Sequence, residues 1–398
     1  MTPWLNIIGI GEDGIDGLSS EARILVEKAE VIIGGNRHHA LIPDLKAERL
    51  AWPSPFDAMI DTICSFKGKR LVILVTGDPL WSSVGARITK AIPADEIRFH
   101  PQISAFQWAA ARLGWSLADV ETLTVHGRHV EQAIPFFTPG ARLLVLTKDH
   151  TTPPDIAHLL TEHGYGDSEM SVLGSLGGPL ETRIDAIAAD WTATAPDFHL
   201  LAITCKSRPG TPVLPSGPGL PDDAFTHDGM ITKSEVRALT IARLSPQRGE
   251  LLWDLGCACG SVAIEWMRGA RDAEAIGIDH RVDRLEMARE NANKLGTPRL
   301  KLIEGRMPDA LNELPAPDAI FIGGGLTEEL AELTFNALRP HGRLVANAVT
   351  LESETLLAEL HQRLGGSLTR IAISRAKPVG PYRGWSPAMP VTQWSLRR

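Results

Sequence analysis

The stretch that decides the fold reads Asp254-Leu-Gly-Cys-Ala-Cys-Gly260 and is followed by Ala275-Ile-Gly-Ile-Asp279. The first part follows an apolar run and precedes a helical pattern, so it predicts a strand, a glycine turn and a helix. Asp279 comes 23 residues after Gly256 and ends the next predicted strand. Turn amides can approach a ligand, and the acid could accept both ribose hydroxyls of an adenosine. The stretch therefore predicts an adenosyl pocket.

The same geometry serves NAD or S-adenosylmethionine. The dinucleotide fingerprint requires G-x-G-x-x-G, whereas here Asp254 precedes Gly256 by two residues, near where an α-amino group would need a counter-charge. This favours S-adenosylmethionine; the remaining alternative is a turn that only packs a helix on a strand. Cys257 and Cys259 could form half of a metal site, but no second Cys or His pair stands at ligand spacing, so no metal is predicted.

Two further segments of this half end predicted strands. Gly305-Arg306-Met307 follows one strand where backbone would meet an adenine edge, and Gly323-Gly324-Gly325 follows the next. Methyltransferases of nucleobase amines carry an Asn-Pro-Pro-aromatic turn at the latter place, so its absence argues against nucleic-acid methylation. The glycines favour a large flat substrate close to the main chain. A flexible crossover turn is the alternative.

A second glycine turn lies at the N-terminus, where Gly9-Ile-Gly11-Glu12-Asp13-Gly14 follows a strand pattern. The next predicted strand, 31–33, ends without an acid, which argues against NAD here. Gly77-Asp78-Pro79 ends a fully apolar run, and Ile103-Ser104-Ala105 opens a later helix. A buried strand that delivers an acid into a turn is more than core packing requires.

Composition and organisation indicate two cytoplasmic domains. The chain has 398 residues, a net charge of -8 and four cysteines, which argues against a general nucleic-acid or anionic-membrane surface and for a reducing compartment. Five prolines between residues 208 and 228 exclude regular structure there. We therefore predict domains at 1–207 and 229–398, joined by a linker, 208–228, that can bury little.

Strand and helix patterns alternate on both sides of this linker, which predicts largely parallel sheets. The predicted strands are 5–10, 31–33, 71–75, 143–147, 199–204, 251–255, 275–279, 300–304, 319–322 and 343–348. The predicted helices are 21–29, 84–91, 105–113, 155–163, 234–244, 262–268, 283–295 and 328–338.

At these motifs the chain resembles two families. The turns at 9–19 and 77–79 and the helix start at 103–105 are similar to the tetrapyrrole methylase fold, over roughly residues 1–205. The C-terminal part, through segments 229–237, 254–260 and 347–352, resembles class I methyltransferases that methylate and decarboxylate a corrin precursor. The resemblance implies an α/β protein with an N-terminal tetrapyrrole methylase fold of two α/β subdomains and a C-terminal class I Rossmann-like methyltransferase domain.

The resemblance also implies S-adenosylmethionine-dependent C-methylation with decarboxylation in cobalamin biosynthesis, with two cofactor sites. The residues expected in the N-terminal site are Gly9, Gly11, Glu12, Gly77, Asp78, Trp81, Ser104 and Ala105. Those expected in the C-terminal site are Thr232, Asp254, Gly256, Cys257, Ala258, Cys259, Gly260, Asp279, Gly305 and Met307. No catalytic residue is assigned.

Two positions depart from the family pattern. Ala258 replaces a glycine common in the turn, which costs little if its φ stays below zero. Arg306 stands where many class I enzymes have an acid near the adenine amino group, so the adenine contact is the least specified.

The implied substrate is a small corrinoid with many carboxylates. Basic clusters at 37–39, at 126–129 and at Arg375, Lys377 and Arg383 are candidates to bind them, although a cluster of this kind is more often a solvated surface. We expect a homo-oligomer without nucleic-acid or membrane partners. Two alternatives stay open: a methyltransferase for another acceptor such as a protein or RNA, and a non-catalytic cofactor-sensing or NAD-binding module.

Overall fold

The computed structural model describes residues 3–398. Its first compact unit comprises the described residues up to Val130 together with Pro139–Thr211. Its second unit comprises Glu131–Thr138 together with Pro212–Arg398. The division after Thr211 falls inside the predicted linker. No sequence motif indicated that residues 131–138 belong with the second unit.

The first unit contains ten strands and six α-helices. Its strands are β1 (Leu5–Ile10), β2 (Val31–Ile33), β3 (Glu48–Leu50), β4 (Leu71–Thr76), β5 (Ile97–His100), β6 (Glu121–Thr124), β7 (Arg142–Leu146), β8 (Glu169–Gly174), β9 (Thr182–Ile187) and β10 (His199–Thr204). Its helices are α1 (Ser20–Glu27), α2 (Asn36–Ala40), α3 (Met59–Ser65), α4 (Gly85–Ile88), α5 (Ala105–Leu113) and α6 (Thr152–Glu162). The predicted helix 84–91 is therefore longer than α4.

These strands form two five-stranded sheets. The order β3-β2-β4-β1-β5 is parallel throughout, as predicted. The prediction of a largely parallel sheet is wrong for β6-β7-β10-β8-β9, where only β6 and β7 run parallel. The connection between β8 and β9 is too short for a crossover helix, so these two strands pair antiparallel.

The second unit contains nine strands and five α-helices. Its strands are β11 (Leu251–Leu255), β12 (Glu274–Asp279), β13 (Lys301–Glu304), β14 (Ala319–Ile322), β15 (Arg343–Ala348), β16 (Ser367–Ile371), β17 (Ser374–Val379), β18 (Tyr382–Pro387) and β19 (Val391–Arg397). Its helices are α7 (Ser234–Leu244), α8 (Ser261–Gly269), α9 (Val282–Lys294), α10 (Glu328–Ala337) and α11 (Leu351–Leu364).

The main sheet of this unit has the order β13-β12-β11-β14-β15-β19-β16. The strands from β13 to β15 are parallel, and β19 pairs antiparallel with both β15 and β16. Strand order reverses between β11 and β14, and ligands of open α/β sheets bind at the carboxyl ends beside such a point. A separate antiparallel hairpin joins β17 and β18.

The segment predicted as a linker packs on the second unit. Leu220 and Phe225 are buried in one core cluster with Leu244, Trp266 and Phe321. The expectation that this segment buries little is therefore wrong. Its prolines exclude regular structure, but they leave carbonyl groups and apolar side chains that a neighbouring surface can use.

Across residues 3–398, the described helices are all too short or too polar to cross a bilayer.

Candidate functional site

The turn after β11 has the predicted strand-turn-helix form. Gly256 and Gly260 have φ angles of 74° and 76°, in the left-handed region that favours glycine. The N–H groups of Gly256 and Cys257 donate to the carbonyl oxygen of Ile278 at 2.9 and 3.0 Å. These bonds fix the turn to β12, so the start of α8 faces the carboxyl edge of the sheet.

The two glycines also permit close packing at this edge. A Cβ on Gly256 would lie 3.2 Å from the backbone nitrogen of Gly324, and a Cβ on Gly260 would lie 3.0 Å from Cβ of Ala288. The turn therefore meets the triple-glycine loop after β14 and the helix α9. This places both loops beside the point where strand order reverses.

Ala258 departs from the expectation made for it. Its φ is 48°, so the condition of a negative φ is not met. A Cβ in this region approaches the following carbonyl and costs about 1–2 kcal/mol. The N–H of Ala258 donates to Oδ2 of Asp279 at 3.0 Å, and this bond holds the residue in that conformation.

Asp254 is a buried acid with one oxygen unused. Its Oδ2 accepts the N–H of Ala263 at 3.0 Å, whereas Oδ1 is buried without a hydrogen-bond partner among the described residues. Burial raises the pKa of Asp254 to about 7. A cationic group placed here would remove the cost of ionising this carboxyl, which fits the α-amino group of S-adenosylmethionine.

Asp279 ends β12, as predicted, and its side chain is only 3% exposed. Oδ2 accepts from Ala258, and Oδ1 accepts the N–H of Arg281 at 3.1 Å. Each carboxylate oxygen can accept a second hydrogen bond. Asp279 thus shapes the turn and keeps the acceptor capacity that a ribose diol requires.

Gly305 and Met307 lie next to these residues. The N–H of Gly305 donates to the carbonyl oxygen of Asp279 at 3.0 Å, and a Cβ on Gly305 would lie 2.7 Å from Cβ of Ala310. Cε of Met307 would be 3.3 Å from a Cβ on Gly325. Met307 therefore borders the triple-glycine loop, while Arg306 is exposed.

The two cysteines of the turn are packing residues. Cys257 and Cys259 are both buried, and burial raises the pKa of each thiol above its ordinary value. Sγ of Cys257 would lie 3.0 Å from a Cβ on Gly277. Both side chains therefore act as small apolar groups.

Thr232 lies ahead of α7 and reaches this site indirectly. Its carbonyl oxygen accepts a hydrogen bond from the guanidinium of Arg237, which also donates to Glu265 on α8 at 2.6 Å. Both charged side chains are buried, and sequence reasoning missed them. Their signal was a charged residue within an apolar run of a predicted helix, as in Ile264-Glu265-Trp266.

The N-terminal site is built by backbone contact between three segments. A Cβ on Gly9 would lie 1.8 Å from the carbonyl oxygen of Gly77 and 3.0 Å from the nitrogen of Gln102. Gly77 has a φ of 61°, and a Cβ there would lie 2.9 Å from Cα of Ser104. The structure therefore brings together the three motifs that the sequence singled out.

The other predicted residues of this site lie on the same segments. A Cβ on Gly11 would meet Oδ1 of Asp13 at 2.6 Å, and Oδ1 of Asp78 accepts the N–H of Leu80 at 2.7 Å. The Trp81 ring packs 5.1 Å from that of Phe106.

Ser104 precedes Ala105, the first residue of α5. The N–H of Ser104 donates to Oε1 of Gln107 at 2.8 Å. Its Oγ is buried without a partner among residues 3–398. This unused hydroxyl and the glycine contacts around it fit a ligand held largely by backbone groups.

The carboxylate of Glu12, an expected cofactor contact, forms an ion pair with Arg37. The Arg37 guanidinium also donates to Thr76 and lies 3.8 Å from the centre of the Phe198 ring. Burial, together with repulsion from Arg37, lowers the pKa of His38 to about 4. In cluster 37–39, Arg37 therefore already has partners within the protein.

The other basic clusters divide in the same way. Arg375 forms an ion pair with Glu235, so it too has a carboxylate partner. Nδ1 of His126 lies 3.2 Å from the carbonyl oxygen of Thr147, while Arg128 and His129 are exposed. Lys377 and Arg383 are exposed as well, so segment 126–129 and the third cluster both keep exposed basic side chains.

Two family models match the chain. The model described as "Tetrapyrrole (Corrin/Porphyrin) Methylases" matches residues 5–188. The model described as "Precorrin methyltransferase domain" matches residues 223–398. The first match contains the N-terminal glycine turn and the second contains the turn after β11.

Similar proteins fall into a full-length group and shorter groups. A Sinorhizobium sp. protein named "Precorrin-6Y C(5,15)-methyltransferase (decarboxylating)" is 45% identical, over 99% of this chain and 96% of its own length. A Pyrobaculum calidifontis protein named "Probable cobalt-precorrin-6B C(15)-methyltransferase (decarboxylating)" is 34% identical, over 44% of this chain and 93% of its own. A Salmonella typhimurium "Cobalt-precorrin-7 C(5)-methyltransferase" is 27% identical, over 48% of this chain and 96% of its own.

Proposed function

Because this chain belongs to the family of decarboxylating precorrin-6Y C(5,15)-methyltransferases, we propose that it methylates precorrin-6B at carbons 5 and 15. In the same sequence of reactions the acetate on ring C loses carbon dioxide, which gives precorrin-8X in cobalamin biosynthesis. The observation that carries this proposal is a pair of differently built glycine turns, each at the carboxyl ends of parallel strands and one in each unit.

Two cofactor sites follow from the chemistry of the substrate. The two acceptor carbons lie on opposite sides of the macrocycle, and methyl transfer requires in-line approach within about 3–3.5 Å. One rigid pocket cannot present both carbons to one donor. The S-adenosylmethionine in each site supplies an electrophilic methyl group.

In the C-terminal site, the protein's own groups bind and orient the cofactor and the substrate. Asp254 provides a buried counter-charge and Asp279 provides acceptors for a diol, while the N–H groups of Gly256, Cys257 and Ala258 hold the turn in shape. The loop Gly323–Gly325 is exposed and leaves room for a flat ring beside the donor. The conjugated, electron-rich macrocycle supplies the nucleophile, so no strong protein base is needed for transfer.

Decarboxylation needs an electron sink, and the substrate supplies it. When the carbon-carbon bond to the carboxylate breaks, the electron pair enters the ring that methylation at carbon 15 has made electron-poor. A proton then completes the methyl group that remains. The protein contributes placement, exclusion of water and electrostatics.

We propose that the second unit carries carbon-15 methylation with decarboxylation and that the first unit carries carbon-5 methylation. In support, these activities bear separate names in two relatives, each of which matches less than half of this chain. Apart from residues 131–138, the tetrapyrrole methylase match lies in the first unit.

We further propose a cytoplasmic homo-oligomer. The chain has only four cysteines in 398 residues, which suits a reducing compartment. The β17–β18 hairpin exposes Val379, Tyr382 and Trp385 by 63–77%, and such an apolar hairpin supports contact with a second copy of the chain.

Isothermal calorimetry with S-adenosylmethionine tests the two-site arrangement. We expect two sites per chain with different affinities. Asp279→Ala should weaken the C-terminal site by about 2–3 kcal/mol, through lost hydrogen bonds to the charged group, and leave the other unchanged. A single site in correctly folded protein would contradict the proposal.

The acceptor is tested by mass spectrometry of the product from purified protein, precorrin-6B and cofactor. We expect two added methyl groups and the loss of one carbon dioxide. Methylation of a protein or RNA with no change in precorrin-6B would favour the alternative acceptor.

A further inference from the structure

The segment Gly219–Thr232, here called the strap, runs from the predicted linker to the start of α7. It contains Thr232, a candidate cofactor contact. We infer that Asn291 on α9 is a positioning residue that fixes the strap against the glycine turn, so that the strap forms a wall of the C-terminal cofactor site. This inference rests on the proposed function of that site.

Asn291 joins the strap to the turn directly. Its Oδ1 accepts the N–H of Thr226 at 2.8 Å, and its Nδ2 donates to the carbonyl oxygen of Thr226 at 2.8 Å. The same Nδ2 donates to the carbonyl oxygen of Cys259 at 3.0 Å. Asn291 is fully buried, so these three bonds use every polar atom of its side chain in a place without solvent.

A second contact links the strap to the region of Asp279. Nε of Arg284 donates to Oδ2 of Asp228 at 3.0 Å, and a guanidinium nitrogen of Arg281 lies 3.7 Å from the same oxygen. The backbone N–H of Arg281 donates to Asp279. The strap is therefore linked to both ends of the pocket. Asn291 links it to the glycine turn, and Arg281 links it to Asp279.

A third set of bonds holds the first part of the strap on α8. Glu265 accepts the N–H groups of Gly219 and Leu220 at 2.7 and 2.8 Å. Arg237 donates to Glu265 and to the carbonyl groups of Leu220 and Thr232. Hydrogen bonds thus hold the strap at its beginning, middle and end. Asn291 makes those in the middle and also bonds to the turn.

The substitution Asn291→Asp isolates this role. It keeps Oδ1 for Thr226 but replaces the donor Nδ2 with an oxygen that faces two carbonyl groups. We expect S-adenosylmethionine to bind the C-terminal site about tenfold more weakly, because hydrogen bonds that place the strap are lost. The N-terminal site of the same chain should keep its affinity, and Asn293→Asp, the same change at an exposed position of α9, should alter neither site.

Two readouts separate positioning from a merely structural role. KM for S-adenosylmethionine in the carbon-15 reaction should rise about tenfold in the variant while kcat at saturation changes less. In the unaltered protein, the cofactor should slow amide hydrogen exchange in the strap as well as in the turn 256–260. Protection of the turn without the strap would overturn the inference, as would equal loss of affinity at both sites.

Asp228→Asn provides a second variant should Asn291→Asp fail to fold. It weakens the ion pairs with Arg281 and Arg284, and the side chain is partly exposed. We expect a smaller loss of affinity, again confined to the C-terminal site, and an unchanged affinity would overturn the inference. If the unaltered protein itself shows no C-terminal site, the proposed function fails, whereas a normal site with unaffected variants refutes only the role of the strap.

Discussion

At the scale of single residues, the glycine turn after β11 carries a local strain at Ala258. This residue has a positive φ, although it bears a side chain. We expect Ala258→Gly to raise the free energy of unfolding by about 0.5–1 kcal/mol, because relief of strain exceeds the extra freedom that glycine gains in the unfolded chain. Urea-induced unfolding measures the change.

Ala270→Gly is the matched control for that substitution. Ala270 follows α8 with a φ of -147°, which any residue adopts. Glycine there should lower stability, because it gives the unfolded chain more freedom and removes the apolar contact of Ala270 with a core cluster, with no strain to relieve. Equal stabilisation at both positions would show that strain at Ala258 does not lower the free energy of unfolding.

The buried carboxyl of Asp254 should make stability depend on pH. Burial raises its folded-state pKa to about 7 from an ordinary value of 3.8, so the folded chain keeps a proton that the unfolded chain has released between these values. Stability contributed by this group therefore falls as pH rises through that window, by at most about 1.4 kcal/mol per pH unit, and is constant above it.

Asp254→Asn removes this titration. We expect the variant to gain stability relative to the unaltered protein between pH 4 and 7, with a constant difference above pH 7. Unfolding free energies of both proteins across this range, without cofactor, measure the difference. A difference independent of pH would mean that Asp254 titrates near its ordinary value.

At the scale of elements, the tie between α7 and α8 is a buried ion pair. Arg237 is fully buried and Glu265 is 2% exposed. We expect Arg237→Met to cost about 3–5 kcal/mol, because it leaves a buried carboxylate without its cationic partner. Thermal and urea unfolding of the full chain should show the loss in the transition of the second unit.

Arg248→Met tests whether the loss of any ion pair would lower stability as much as Arg237→Met does. Arg248 pairs with Asp272 on the surface, where the two side chains are 70% and 38% exposed. Such pairs contribute at most about 1 kcal/mol. A similar loss in both variants would contradict the importance assigned to burial.

The elements also show what sequence reasoning can reach. Strands with a glycine turn, such as β11 and β4, were predicted within a residue, because β4 is apolar up to Thr76 and β11 is apolar apart from Asp254, as is typical of largely buried strands. β9 was missed because its side chains are mostly exposed, so its sequence lacks that run. The positive φ of Ala258 was also missed, because it depends on a bond to Asp279, 21 residues away.

The site shows the same division. The motifs around Gly9, Gly77 and Ser104 could be found from local patterns, and the fold brings them into backbone contact. Asn291 could not be found, because its three partners lie in the strap and the turn rather than on its own helix. Asn291 and Asn293 stand close together in the polar sequence of α9, and nothing local marks the first of them as making such contacts.

At the scale of the whole molecule, the division after Thr211 suggests where the two activities can be separated. A cut there keeps Leu214, Leu220 and Phe225 with the core that they contact, and it leaves residues 131–138 of the second unit on the first piece. We expect residues 1–211 and 212–398, expressed separately, to be soluble, and we expect the second piece to add one methyl group and release carbon dioxide from precorrin-6B. The first piece should then add the second methyl group, at carbon 5.

Circular dichroism would establish that each piece is folded, and product masses after each step would assign the reactions. A matched cut between Leu220 and Pro221, inside the strap, should give a less stable second piece because it removes Leu220 from its core. Loss of carbon dioxide only in reactions with the first piece would refute the assignment of chemistry to units.

In the second unit, the last strand of the chain completes the main sheet. β16 leaves the ribosome before β19, yet among the described strands β19 is the one that pairs with it and also the one that covers β15. Until residues 391–397 are made, the edge of β15 is therefore unpaired. β16 also lacks its partner then, because β19 begins 20 residues after β16 ends. A chain that lacks residues 391–397 would therefore leave the edges of β15 and β16 unpaired, and such edges favour pairing between chains.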